Sequence, residues 1–115
     1  MTTLQLSWVK LTNGNWCPFD TVNLSNVSTK GVYLIWYSGS PGRVVRLGQG
    51  DISARIGAHR NDKKITVYKD LFVTWAAVHS TQIDGVERYL ADTWKPLVGD
   101  AFPDAVPIAV NSPWG

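Results

Sequence analysis

The chain has 115 residues, 44% of them hydrophobic, with six Trp, four Tyr and three Phe; that is room for one domain with one real core, and it excludes a disordered or low-complexity chain. Its net charge of +2 is too small for the whole-molecule field to point to nucleic acid by itself, and one cysteine, Cys17, excludes both an intramolecular disulfide and a Cys-rich zinc site. The longest apolar runs, 32–37 and 105–110, fall short of the roughly 20 residues of a membrane-spanning helix, and no basic-then-apolar leader opens the chain, so the expectation is a soluble cytoplasmic protein.

In chain order, residues 1–30 read as an N-terminal extension that packs on the core. Trp8, Val9 and Leu11 followed by Asn13-Gly14 and Trp16 suggest a strand closing in a tight turn, because Asn-Gly tolerates positive φ. Gly31 then precedes the β-branched and aromatic run 32–37, closed by the turn residues 38–42, and 43–49 reads as the second strand of a hairpin. Asp51 stands where a helix N-cap belongs, ahead of a helical pattern over 52–60. Residues 71–78 read as a third, buried strand, and 83–94 as an amphipathic helix stopped by Pro96. The order predicts an α/β (α+β) domain over 31–115, with a small three-stranded antiparallel sheet flanked by helices and a short N-terminal β extension.

Charge is unevenly spread. Over 43–64, Arg43, Arg46, Arg55, Arg60, Lys63 and Lys64 outweigh Asp51 and Asp62; over 84–104, five acidic residues outweigh Arg88 and Lys95. Such a pair of segments is either a phosphate-binding face beside a metal-binding wall or two solvated faces. Helical spacing narrows the question. At about 100° per residue, Arg55 and His59 fall among Ile52, Ile56 and Ala58, and Ser53, Gly57 and Arg60 fall outside. Glu87 falls inside the stripe of Ile83, Val86, Leu90 and Trp94, with Arg88 and Asp92 opposite. A buried charge needs a partner or marks a cleft. The pair is therefore either an internal Arg55–Glu87 salt bridge or part of a polar pocket for phosphate or metal.

On these residues the chain resembles the GIY-YIG nuclease superfamily. Gly31-Val32-Tyr33 stands where the family's first tripeptide opens a strand, and Arg46-Leu47-Gly48 where the second stands on the paired strand, followed by Gln49-Gly50. Arg55 matches the arginine of the first helix, His59 the histidine one turn later, Glu87 the helical metal-binding glutamate, and Asn111 the late asparagine. The resemblance implies a small endonuclease module that hydrolyses phosphodiester bonds in DNA with one divalent ion, Mg²⁺ or in its place Mn²⁺, anchored by Glu87. It further implies that Arg55 holds the scissile phosphate and that Tyr33 and His59 orient and deprotonate water, the latter with an unperturbed pKa near ~6.5. Specificity in so short a chain would come from a homodimer, a recognition partner or DNA structure.

Arg46 departs from the pattern, standing where the family has a tyrosine; facing the pocket, it would meet phosphate by charge. Arg60, Lys63 and Lys64 are expected to contact a nucleic-acid backbone. Trp36, Trp75 and Trp94 read as core, and Trp8, Trp16 and Trp114 as aromatics able to stack on unpaired bases. The rival readings are a nucleic-acid-binding protein of the same fold without turnover, and an unrelated α/β protein with a structural Arg55–Glu87 pair.

Overall fold

The computed structural model describes residues 3–39, 42–99 and 101–114. Its elements are β1 (Cys17–Pro18), β2 (Lys30–Tyr37), β3 (Arg43–Asp51), α1 (Ile52–His59), α2 (Lys63–Thr66), β4 (Leu71–Ala77) and α3 (Ile83–Trp94). The fold is α+β, and its antiparallel sheet has the order β1-β4-β2-β3. The expected sheet of three strands is thus corrected to four: the two residues of β1 pair with Val73 and Phe72 on the outer edge of β4. The sequence hinted at a strand before Asn13-Gly14. The turn is there, with Gly14 at φ +86° and its N–H donating to Leu11 O, but the strand lies after it. Cys17 and Phe19 are buried, so the first thirty residues contribute to the core as well as covering it.

Strand alternation sorts the sheet into two faces. Tyr33 and Ile35 of β2 point to the side covered by α1, where they join Ile52, Ile56, Ile65 and Phe19. Val32, Leu34 and Trp36 point to the side covered by α3, where they join Leu47, Val86 and Leu90. On β3 the register pairs Tyr33 with Gly48, Leu34 with Leu47 and Ile35 with Arg46, so Arg46 and Gly48 share the α1 face and Gln49, opposite Val32, lies on the α3 face. A register shift between Ile35 and Trp36 lets Val45 join the α1 side and Val44 the α3 side. The free edge of β3 is partly covered by 97–98, whose N–H groups donate to Val44 O and Val45 O, which removes an open template for strand addition.

Among the described residues, no helix is long and apolar enough to cross a membrane. Asp51 caps α1 as expected, accepting from Ala54 N at 3.3 Å, and Lys95, in the left-handed region, ends α3 before Pro96.

Gly31 sits where β2 and β4 approach so closely that a Cβ would overlap the Ala76 carbonyl. Gly57 on α1 faces open space. Urea unfolding is expected to show Gly31→Ala destabilised by about 2 kcal/mol through overpacking, and Gly57→Ala stabilised by about 0.5–1 kcal/mol through helix propensity and reduced unfolded-state entropy. Equal effects at the two positions would contradict the strand register.

Candidate functional site

The site starts from a missing side chain. Tyr33 and Gly48 are cross-strand partners, and a Cβ at residue 48 would lie 2.5 Å from the Tyr33 hydroxyl and 2.9 Å from Cζ. With only hydrogen there, the phenol lies across β3 toward α1. His59, in the last turn of α1, meets it: the Tyr33 hydroxyl and His59 Nε2 are 2.5 Å apart, and both side chains are buried.

Two guanidinium groups act on this pair. Burial holds the Tyr33 phenol above its ordinary value, against the pull of Arg46 and Arg55. Burial also pushes His59 down to about 4, and the positive charges of Arg46 and Arg55 add to the effect while Asp62 opposes it. At neutral pH both rings are therefore uncharged and share a hydrogen bond, with Nε2 able to take the phenolic proton when Nδ1 carries the ring proton.

Arg46 projects from the edge strand. Its Nη1 reaches toward the Val98 carbonyl at 3.5 Å, Gly99 leaves the space its head occupies, and its Nε is sealed from solvent without a hydrogen-bond partner. Arg55 lies on the rim, with its stem crossing Gly50. Together with His59, Asp62 and Lys64 on one side and the 97–99 segment on the other, the two arginines line a cleft of about 740 Å³. Two planar forks and a lysine around a cleft suit an oxyanion such as phosphate.

Glu87 comes from the other face of the sheet. It is buried on α3 beside the Gln49 side chain, and its carboxyl is raised by burial, with Gln49, Arg46 and Arg55 pulling it down and Asp84 pushing it up. The Gln49 amide donates to Asp84 Oδ1 at 2.7 Å. Because β3 is the edge strand, groups from both faces converge around it.

Several sequence expectations change here. Arg55 is exposed, because the buried stripe of α1 runs through Ile52, Ile56 and His59, with Ala54 and Ala58 in solvent. The internal Arg55–Glu87 salt bridge does not form: among the described residues the ion pair within 4 Å is Arg88–Asp92 at 3.0 Å. Arg60 does not face outward. Its Nε donates to Phe19 O at 2.8 Å and its Nη2 to Val22 O at 2.7 Å, tying the N-terminal segment to α1. Asn111 is also engaged: its Oδ1 accepts from Leu6 N at 2.6 Å and its Nδ2 donates to Leu6 O at 3.0 Å, away from the cleft lining. Lys63 is exposed on α2 and Lys64 faces the cleft.

Tyr33, Arg46, Arg55, His59 and Lys64 are thus brought together, Glu87 stands near enough to feel both arginines, and Arg60 and Asn111 serve the fold. Sequence reasoning missed Asp62, Gln49 and the 97–99 wall. Strand alternation with Leu47 was the available signal for Gln49, placing it toward Asp84 and Glu87 one helical turn apart.

The buried Glu87 carboxylate, with no cation within 4 Å among the described residues, is a donor of the kind a divalent ion such as Mg²⁺ or Mn²⁺ takes, since these ions bind through one or two carboxylates and otherwise through water and phosphate oxygens. Among the described residues, no group of three or more His, Cys, Asp or Glu stands ready for a metal. Comparison with protein-family models, with curated proteins and with solved structures finds no match to this chain.

The low His59 pKa carries a stability consequence. The folded value lies below the ordinary 6.5, so protonation favours the unfolded chain. Stability from this group is complete above about pH 6.5 and is lost as pH falls toward 4, by up to about 3 kcal/mol. Urea unfolding at pH 7 and pH 4.5 is expected to show a loss smaller by about 2 kcal/mol in His59→Gln than in the natural protein; equal losses would mean that His59 is not held neutral.

Proposed function

We propose that this protein is a metal-dependent endonuclease that hydrolyses phosphodiester bonds in DNA at the β3-edge cleft. The observation that carries the reading is the uncharged Tyr33–His59 pair, hydrogen-bonded at 2.5 Å beneath two guanidinium groups that, among the described residues, have no carboxylate partner within 4 Å. A structural ion-pair network would have neutralised Arg46 and Arg55 internally; here their charge is left facing a cleft. The resemblance of Gly31-Val32-Tyr33, Arg46-Leu47-Gly48, Arg55, His59 and Glu87 to the GIY-YIG superfamily gives the same assignment, and the α+β fold, with the two tripeptides meeting at the Tyr33–Gly48 pair of the β2–β3 ladder, supports it.

In this reading Arg55 and Arg46 hold the phosphate oxygens and take up the charge that builds on them as water adds. The attacking water gives its proton to the Tyr33 oxygen while the phenolic proton passes to His59 Nε2, so the tyrosine is left neutral and the charge ends on the imidazole. The bond from phosphorus to the leaving sugar oxygen breaks, and that oxygen takes a proton from solvent. Glu87, oriented beside Gln49, would hold the divalent ion, whose chemistry is to neutralise phosphate charge and stabilise the leaving oxygen. Lys64 sits where it would meet a neighbouring phosphate. Recognition by shape, by a second copy of the chain or by another protein would supply specificity.

One observation favours a second reading, a nucleic-acid-binding protein without turnover: at residue 46 the chain carries an arginine, leaning on Val98 O, where the resemblance calls for a tyrosine.

Cleavage of a labelled single strand and a labelled duplex at low salt separates the two. Cutting is expected with Mg²⁺ or Mn²⁺, none with chelator, and a loss of at least a hundredfold in Glu87→Gln, whose folding stability is retained or raised because a buried unpaired charge is removed. Cutting that survives chelator or Glu87→Gln contradicts the reading. Binding of both substrates with no cutting favours the second.

A further inference from the structure

A second cavity lies on the α3 side of the sheet. It holds about 280 Å³ and is lined by Trp36, Trp94, Trp114, Val44, Gly42 and Arg43. The Trp36 and Trp94 ring centroids stand 5.0 and 4.9 Å from that of Trp114, each at 84° to it. A flat group lying on the Trp114 indole therefore stands at right angles to Trp36 and Trp94, the edge-to-face arrangement aromatic systems favour. Trp114 is 38% exposed, so part of its ring is open to solvent on the cavity's rim. On the rim, Arg43 is exposed and spends one N–H on Lys95 O at 3.3 Å; among the described residues its other donors have no partner.

The position of this cavity matters as much as its lining. Arg43 and Val44 belong to the same edge strand as Arg46, three residues from Arg43 to Arg46, or about 10 Å along an extended chain. Trp94 and Val98, on one continuous stretch, line the aromatic cavity and the cationic cleft respectively. The cleft opens on the α1 face of β3 and the cavity on its α3 face, so a strand that reaches both passes the edge of the sheet.

We propose that the Trp36–Trp94–Trp114 cavity is a binding site for an unpaired nucleobase, and that the protein's substrate is a strand with unstacked bases whose phosphate lies in the Arg46–Arg55 cleft. The inference rests on the phosphodiester reading above and deepens it. Indole faces take bases of any sequence, because every base has a π-face, and Arg43 adds donors for a base edge. A base paired in a duplex cannot enter a walled cavity without leaving its stack. Discrimination is therefore between unpaired and paired nucleic acid, with little preference among bases.

Fluorescence anisotropy in chelator, at low salt, with three labelled probes tests this: an oligothymidylate, an abasic strand of the same length, and a duplex. The natural protein is expected to bind the oligothymidylate about ten- to a hundredfold more tightly than the abasic strand, the range that one stacked base supplies. Trp114→Ala is expected to erase that ratio, whereas Arg46→Gln weakens both strands together. In ¹⁵N-labelled protein, thymidine alone should shift the indole N–H signal that Trp114→Ala removes, leaving that of Trp8 in place. Equal affinity for base-bearing and abasic strands, or a ratio that Trp114→Ala leaves intact, overturns the base pocket while the phosphodiester reading stands. Binding of neither strand, with thymidine still shifting the Trp114 signal, overturns the phosphodiester reading and supports the pocket. No effect of thymidine on any indole overturns the pocket.

Discussion

Tyr33 reaches His59 because residue 48 has no side chain. The phenol lies over Gly48 on the edge strand, the imidazole comes down from the last turn of α1, and the hydroxyl and Nε2 meet at 2.5 Å inside an otherwise apolar layer. The remaining features of the site depend on that meeting. The hydrogen bond satisfies two polar groups that would each be costly to bury alone. It also fixes both rings in an uncharged state, since burial and the two arginines oppose a proton on His59 and burial opposes its loss from Tyr33.

The second constraint is the position of β3 at the edge of the sheet. A central strand would keep Tyr33 and Glu87 apart, one on each face, with backbone between them. At the edge, Arg46 rises from the strand itself and acts on the Tyr33–His59 pair and on Glu87 alike. The same edge is partly sealed by 97–98, so the segment that keeps β3 from pairing with another chain also walls the cleft on one side and leads from Trp94 and the aromatic cavity on the other. Residues that look dispersable in sequence are held by backbone: Arg60 clamps Phe19 and Val22, and Asn111 clamps Leu6, so that the N-terminal segment and the C-terminal stretch lie against the domain.

The elements over 31–94, apart from the single turn of α2, were legible because each carried a local signal: a β-branched run, a capping aspartate, a clean 3.6-residue period, a proline stop. An N-terminal strand was expected but misplaced before Asn13-Gly14, because Cys17-Pro18 owes its pairing to the edge of β4 and to the burial of Phe19, which local sequence does not encode. Tyr33, His59 and Glu87 were visible as polar groups on apolar stripes. Arg55 and Arg60 were misplaced because a helical wheel shows spacing without its centre: the stripe of α1 runs through Ile52, Ile56 and His59, so Arg55 falls at its solvent rim and Arg60 reaches backbone on the opposite flank. The cleft's far wall, 97–99, had no signal at all, since it is built from backbone carbonyls and a glycine.

The central claim is that the Tyr33–His59 pair, kept uncharged, takes the proton from the attacking water. Its most direct test is the pH dependence of DNA cleavage by the natural protein and by Tyr33→Phe. The account predicts a rate that holds from neutral pH down past 6 and falls only as pH approaches about 4, where His59 becomes protonated, together with a loss of about a hundredfold or more in Tyr33→Phe. An acid limb centred near ~6.5, the ordinary histidine value, or full activity in Tyr33→Phe, would contradict it.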